Sequence, residues 1–410
     1  MIRIKKSKIV NQKSKIIYLL VLMGLMTSCE EAKRELFSVD SIPPGQVYGE
    51  YVDNVAGGAI ITYSVPGDED LMYVKAVYKM SDGTKVEQTS SAYTTKIVIE
   101  GLGRAEKQTV QLICCDRSGN ESAPYPVEIE PLDSPIYEIQ ESIQMSPDFG
   151  GIRIIWDNPL KASVVLTVYE VVTMGNNKTM VEVQSIYTGS AKGKYNIRGL
   201  PSEETTFAIL VRDRWSNRTE MKNETCTPFF EQKLDRKKFG KWNPAGIPYD
   251  ALTSQGWNIE NLWNGLLTDP GFSFSSSVTL PRSITFNMGQ SAILGRMKVF
   301  QRTSSSQLFA GYNVKRFQLW GSPTDNVTAE FNTWIFFGDF TSVKPSGLPL
   351  GQLNDEDRAA GTNGEDYEIE NTDENSVPVQ YIRIHIMETW GGGMSVAQFN
   401  EMEFYGQIVE

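Results

Sequence analysis

"GGAIITYSVP", Gly57 to Pro66, and "GGIRIIWDNP", Gly150 to Pro159, share a glycine pair, an alternating apolar run and a closing proline, set 93 positions apart. Three further matches follow in the same order. "YVKAVYKM" answers "VVLTVYEV", in an alignment that sets Val77-Tyr78 against Val168-Tyr169. Gly101-Leu102 then stands against Gly199-Leu200, and Asp116-Arg117 against Asp213-Arg214. Four ordered correspondences define a repeat of about ninety residues, longer than a solenoid unit and the size of a small sandwich domain. Alternation puts successive side chains on opposite faces of a strand, so each copy reads as about seven short strands between turns. No long stretch sustains a 3.6-residue apolar period, and the fold class is all-β.

The formal charge is −11, and loss of residues 1–28 with their six basic side chains takes it to −17. Phosphate backbones repel such a chain, and no basic stripe interleaved with aromatics argues for nucleic acid. Besides Cys29 only Cys114, Cys115 and Cys226 occur, without the spaced pairs a zinc site needs. Neighbouring Cys114 and Cys115 point to opposite faces of a strand, so the expectation is one core thiol, one partly exposed thiol, and no bridge between them.

Arg3, Lys5, Lys6, Lys8, Lys13 and Lys15 precede an apolar core from Ile16 to Met26, which Thr27 and Ser28 link to Cys29. The core falls short of the ~20 apolar residues that span a bilayer. Its basic front and small-residue exit mark a removable export segment over 1–28. Leu25 to Cys29 resembles the lipobox of bacterial lipoproteins, which implies acylation of Cys29, a tether over 29–37 and a membrane partner reached through that lipid. Glu30 and Glu31 resemble the acidic signal that sends lipoproteins of gut Bacteroidetes to the outer face of the outer membrane.

The endings "DRSGNES" and "DRWSNRTE" resemble the close of fibronectin type III domains. Residues 38–132 and 133–230 are similar to the tandem fibronectin-like, or Ig-like, β-sandwiches of lipoproteins encoded beside glycan importers in Bacteroidetes, where such modules act as spacers. Trp156 alternates inward with Ile154, whereas Trp215 falls in a turn.

A basic, proline-punctuated stretch over 231–250 reads as a linker, and a third domain follows over 251–410. Its landmarks are "NLWNGLLTDPGFSF" (Asn261–Phe274), "PRSITFNMG" (Pro281–Gly289), "LGRMKVFQR" (Leu294–Arg302), "YNVKRFQLWGSP" (Tyr312–Pro323), "VQYIRIHIME" (Val379–Glu388) and "VAQFNEMEFYG" (Val396–Gly406). In that order they resemble the discoidin, or coagulation-factor type C, domain, which implies a discoidin-like β-sandwich jelly roll with ligand contacts from loops at one end. Asn264 departs from the aspartate often found in the early turn of that family, which weakens calcium binding there.

Sugars present apolar C–H faces fringed by hydroxyls, so a binder needs exposed flat rings and planar polar groups. The third domain's loops carry Trp257, Trp263, Asn264, Arg302, Tyr312, Asn313 and Trp390, the last followed by three glycines that allow a sharp return of the backbone. These are the candidate ligand residues. The sole histidine, His385, shares the polar face of its strand with Tyr381 and Arg383, which makes it a surface or rim residue with no nucleophile motif beside it. The acidic stretch 351–378 reads as a surface loop, since it lacks the D-x-D-x-D-G frame that calcium ligation by Asp355, Asp357 or Asp366 would need.

No G-x-S-x-G, H-E-x-x-H or phosphate loop is present, and no metal or cofactor is called for. The sequence thus points to a non-catalytic surface lipoprotein that captures polysaccharide or oligosaccharide for an outer-membrane glycan importer. An adhesin-like scaffold of such an importer is the alternative, and a glycoside hydrolase ranks third.

Overall fold

A computed structural model describes residues 40–175, 177–247, 253–274, 279–304, 307–370, 372, 376–393 and 395–409. The export segment, the tether and Cys29 lie outside the described residues. The chain divides after Asp133 into two compact units. No helix among the described residues is long and apolar enough to cross a membrane.

In the first unit, Tyr48–Val55, Gly58–Ser64 and Lys96–Ile99 form a three-stranded antiparallel sheet. Lys85–Ser91, Leu71–Lys79, Gln108–Asp116 and Tyr125–Ile129 form a four-stranded one, and their inward apolar residues make one core. The second unit opens with the same arrangement. Gln144–Asp148, Gly151–Asp157 and Lys192–Arg198 form the three-stranded sheet, while Asn177–Thr188, Val164–Met174, Thr205–Asp213 and Lys222–Cys226 form the four-stranded one. A short helix, Pro135–Ser142, turns Ile136 and Ile139 into this second core.

The quoted glycine pairs have one physical reason in both copies. Gly57 and Gly150 adopt φ of 73° and 67°, a region only glycine enters without strain. Their amides donate to Leu132 and Phe229 at 2.9 and 2.8 Å, and their carbonyls accept from Leu102 and Leu200 at 3.0 Å. The second glycine of each pair lies against a neighbouring strand. A Cβ on Gly58 would stand 1.9 Å from the Ile99 carbonyl oxygen, and one on Gly151 only 1.7 Å from that of Ile197. The closing turns also agree: Asn120 and Asn217 each bond the carboxylate of the preceding aspartate, Asp116 or Asp213, through backbone and side-chain N–H groups.

The Val77-Tyr78 alignment needs correction. Val77 faces Gln111 and Tyr169 faces Ala208, so counting back from the shared aspartates makes Tyr169 the counterpart of Val77. A slip of one residue exchanges the faces of a strand. Tyr78 accordingly points into the core with its hydroxyl on the Glu100 carbonyl, and Tyr169 points outward. Cys115 is also corrected, because both it and Cys114 are buried, each as a free thiol.

In the third domain the strand Arg282–Phe300 belongs to two layers. Its first part pairs with Val379–Thr389, which continues through Val314–Ser322 to Ile335–Thr341. Beyond a break at Gly289 it pairs with Glu401–Ile408 and Glu365–Glu368. A strand that changes layers in this way makes the corner of a sandwich. The layers meet through contacts such as Phe286 with Phe404, 5.7 Å between ring centroids, and Phe317 with Tyr367 at 5.3 Å. Ile382, Ile384 and Ile386 face this core.

Three expectations change here. The stretch read as a linker supplies Gln232–Lys233 and Gly240–Lys241, which pair with Tyr405–Gly406 and Phe286–Asn287. The acidic stretch contains a helix, Asp355–Asn363, and the strand Glu365–Glu368. Asn354 and Asp357 close a reciprocal capping box, and three acidic residues in the first turn suit the positive end of the helix dipole. Asp357 is fully buried on the Ser346 amide and hydroxyl, while Asp366 pairs with Arg296. Finally, the polar face of Val379–Thr389 is covered. Arg383 is buried under Phe331 and Trp334, and burial pulls its guanidinium down to about 10. His385 is half-buried on Ser283, where burial and then Arg383 push its imidazole down to about 4.

Within the second unit, ion pairs join the sandwich to the third domain. Arg198 reaches Glu231 at 3.1 Å and clasps the Glu368 carboxylate, while Arg296 holds Glu231 at 3.1 Å and Asp366 at 2.6 Å. Gly295 leaves room for Phe149, whose ring carbon would lie 2.6 Å from an added Cβ.

Candidate functional site

Asn313 organises one tip of the third domain. It is fully buried at the entry of Val314–Ser322. Its Oδ1 accepts the Arg302 amide at 2.9 Å, and its Nδ2 donates to the carbonyls of Arg302 and Gln307 at 2.9 and 2.6 Å. Its own carbonyl accepts the Trp390 amide at 2.9 Å, the Gly391 amide donates to Gly311 at 2.7 Å, and the Gln398 amide donates to Tyr312 at 2.8 Å. Every polar group of that side chain serves another loop. Asn313 therefore shapes the tip and is not a ligand contact, which corrects the sequence reading.

Around this hub stand four of the other candidates. Arg302 grips Asp269, with Nε 2.9 Å from both carboxylate oxygens and Nη2 2.7 Å from Oδ2, and the Ser304 hydroxyl donates to the same oxygen at 2.6 Å. Burial raises the Asp269 carboxyl, but the bonds from Arg302 and Ser304 outweigh it and hold the group below its ordinary range. The half-buried Trp257 ring lies 5.1 Å from the Arg302 guanidinium carbon. Tyr312 is 47 % exposed, a phenol open to solvent.

Trp390 is half-buried, its edge against Phe309 at 5.5 Å and the Lys315 ammonium 5.3 Å from its ring centre. Its indole N–H donates to Ser342 Oγ at 3.1 Å, and Ser342 in turn donates to Glu365 at 2.7 Å. Gln301 bonds both Ser342 and Glu365 from the other side. Burial dominates there and raises the Glu365 carboxyl despite these bonds. The indole is thus held at a set angle by a buried polar column.

Two candidates stand apart from this group. Trp263 is 8 % exposed and packs on Phe286 at 5.1 Å and Phe239 at 5.9 Å, so it is a core residue and its assignment to ligand is corrected. The short 3₁₀ turn Ile259–Trp263 rotates Leu262 and Trp263 inward and leaves Leu266 and Leu267 exposed. Asn264 is exposed, but its Oδ1 accepts the Leu266 amide at 2.7 Å to close its own turn. That turn is anchored by Glu401, 1 % exposed, which accepts the Gly265 amide at 3.0 and 3.1 Å. Burial pushes the Glu401 carboxyl up to about 7.

Asp269, Ser304, Lys315, Phe309 and the Ser342–Glu365 pair were missed from sequence. Only Asp269 left a trace there, as the acid of an Asp-Pro-Gly turn. The arrangement offers three partly open aromatic faces beside a fixed guanidinium–carboxylate pair and an ammonium. Such a set can stack against a pyranose and bond its hydroxyls in pairs.

Three families, each described as a domain of unknown function, match the chain: DUF4959 over residues 44–131, DUF5126 over 132–237 and DUF5000 over 260–406. No curated protein matches it. Among solved structures it is similar to a SusE-like protein, at 28 % identity over 66 % of this chain and 98 % of that one, with a TM-score of 0.41. A putative chitobiase fragment from Bacteroides thetaiotaomicron matches at 15 % identity over 44 % of this chain and 95 % of that one, TM-score 0.30. A two-domain fibronectin type III segment of chicken tenascin matches at 14 % identity over 44 % and 99 %, TM-score 0.22.

Proposed function

We propose that this chain is a non-catalytic, lipid-anchored glycan-binding protein of the outer membrane, facing the cell exterior. Its discoidin-like third domain captures polysaccharide or oligosaccharide for a neighbouring outer-membrane importer, and the fibronectin-like sandwiches carry it. One observation bears most of this reading: Trp257, Arg302, Tyr312 and Trp390 lie around Asn313, with Arg302 and Trp390 already held by the polar partners Asp269 and Ser342. Preorganised aromatic and charged groups lose little entropy when a ligand arrives. A single shallow site gives modest affinity, and many tethered copies add avidity.

The test is a glycan array followed by affinity electrophoresis of the full chain. Trp390→Ala should weaken binding of a retained neutral glycan about tenfold or more, an expected loss for a stacking aromatic. Trp263→Phe, a core change, should leave binding unaltered. Absence of any retained glycan, or equal retention by Trp390→Ala, would reject the reading and favour the scaffold alternative.

A further inference from the structure

The duplicated sandwich supplies an internal control for which surface residues the fold requires. Across three neighbouring strands of the second copy runs the row Tyr187, Val165, Arg212. The corresponding row of the first copy is Ser91, Tyr73, Cys115. Both copies fold with the same strand order, so neither Tyr187 nor Arg212 is demanded by the architecture. Yet Tyr187 is 75 % exposed, and Arg212 is exposed with no ion pair among the described residues. Between them lies an open cleft of about 540 Å³, bordered also by Ser163, Thr188, Asp213 and Arg214. This volume is in the range of sites that hold small ligands.

The loss of carboxylates at this end is likewise particular to the second copy. In the first, Asp40, Asp70 and Asp116 bring their carboxylates within 4.8 Å of one another. The second keeps only the aspartate of the turn, Asp213, with Ser134 beside it and Ser163 in the place of Asp70. The Asp213 carboxylate is taken up by the amides of Trp215 and Asn217 and by the Asn217 side chain. Arg214 lies 4.1 Å over the Trp215 ring and corresponds to Arg117 of the first copy, so it belongs to the shared turn and not to the difference between the copies. A chain of net charge −11 thus presents at this cleft the exposed guanidinium of Arg212, an exposed phenol ring and two hydroxyls, beside an Asp213 carboxylate whose bonds are taken up by its own turn.

We infer that the second sandwich is itself a binding module, and that this cleft takes an anionic sugar residue. The carboxylate or sulfate of the sugar meets Arg212, since a guanidinium fork matches either group with paired, charge-assisted hydrogen bonds. The pyranose face lies on Tyr187, and Thr188 and Ser163 bond ring hydroxyls. A neutral sugar would leave the Arg212 guanidinium unanswered, and nucleic acid is opposed by the charge of the rest of the chain. The inference rests on the glycan reading above only in taking the ligand to be a saccharide; the site is separate from the tip of the third domain.

Affinity electrophoresis of the full chain in gels containing polygalacturonate, dextran sulfate or neutral dextran tests it. Retardation by an anionic polymer should weaken about tenfold in both Tyr187→Ser, which restores the first copy's residue, and Arg212→Ala, with unchanged circular dichroism. It should decline with salt and survive Trp390→Ala. Response to polygalacturonate alone assigns a carboxylate sugar, and response to dextran sulfate alone a sulfated one. Equal retardation of wild type and the Tyr187→Ser/Arg212→Ala double variant, or no retardation by either anionic polymer, overturns the inference. Failure of the third-domain site would show instead as neutral-glycan binding indifferent to Trp390→Ala.

Discussion

The first and second sandwiches place seven strands in one order, turn on the same glycine pairs and close on the same aspartate–asparagine bond, yet they differ at several positions on their outer faces. Arg198 stands where the first copy has Glu100, Arg212 where it has Cys115, and Tyr187 where it has Ser91. What the copies share is backbone geometry and core volume, the terms a fold cannot relax. What they do not share is free to be used. In the second copy part of it joins the third domain through Glu231 and Glu368, and part forms the cleft at Tyr187.

The largest expected effect concerns what is shared. Gly151→Ala places a methyl group 1.7 Å from a carbonyl oxygen, and Gly58→Ala places one at 1.9 Å, so each should cost about 4 kcal/mol. In calorimetry Gly58→Ala should lower only the transition of the first unit, and Gly151→Ala only that of the second. Small or unequal losses would break the claim that one steric rule governs both copies.

Next comes Arg198→Ala. It strips one of two guanidiniums from Glu231, whose side chain is 9 % exposed, and should cost about 2–3 kcal/mol in urea unfolding. The matching change in the first copy, Glu100→Ala, should stay within about 0.5 kcal/mol. Equal effects would mean that the ion pairs at the junction carry no particular weight.

The smallest effect separates the units by pH. Burial raises Glu231, Glu365 and Glu401 in the second unit, Glu401 to about 7. The native state then holds more protons than the unfolded chain between the ordinary glutamate value of about 4.5 and pH 7. These three groups therefore withdraw stability as pH rises through that window, while His385, held down to about 4, adds stability as pH rises to its ordinary value near 6.5. In the first unit the shifted carboxylates of Glu50, Asp82 and Asp116 are all lowered, so their contribution is lost only as pH falls below their ordinary range. Above the ordinary histidine value, where the His385 gain is complete, going from pH 6.5 to pH 8 should lower the second transition by about 2 °C and spare the first. Glu401→Gln, which keeps an acceptor for Gly265, should flatten that slope. A parallel response of the two units would refute the distinction.

Much of this architecture was legible in the sequence. Glycine pairs, alternation and turn residues are local signals, and they located two seven-stranded copies and the isoleucine face of Val379–Thr389. The helix Asp355–Asn363 was hidden among acidic residues because a capping box is a matter of geometry, and its Asn354-Asp357 pair has no apolar run behind it. The slip at Val77-Tyr78 shows the same limit. A two-residue period identifies a strand, but only the partner strand shows which face is inside.

At the candidate site, residue type was readable and exposure was not. Trp257, Tyr312 and Trp390 keep open surface, whereas Trp263 is rotated inward by a single 3₁₀ turn and the Asn313 side chain is spent on holding the loop from Arg302 to Gln307. Asp269 and Glu365, which hold Arg302 and Ser342, come from segments 33 and 23 positions away from their partners.

The sequence by itself determined the all-β class, the duplication and the pool of aromatic and planar polar residues, because strand period and turn chemistry act between near neighbours. Tertiary structure alone decided which of those residues meet, which are buried, and that Arg212 of the second copy, with no ion pair among the described residues, shares an outer row with the exposed ring of Tyr187. Those outcomes depend on contacts between distant segments, where one residue of register or one turn of 3₁₀ helix moves a side chain from solvent to core.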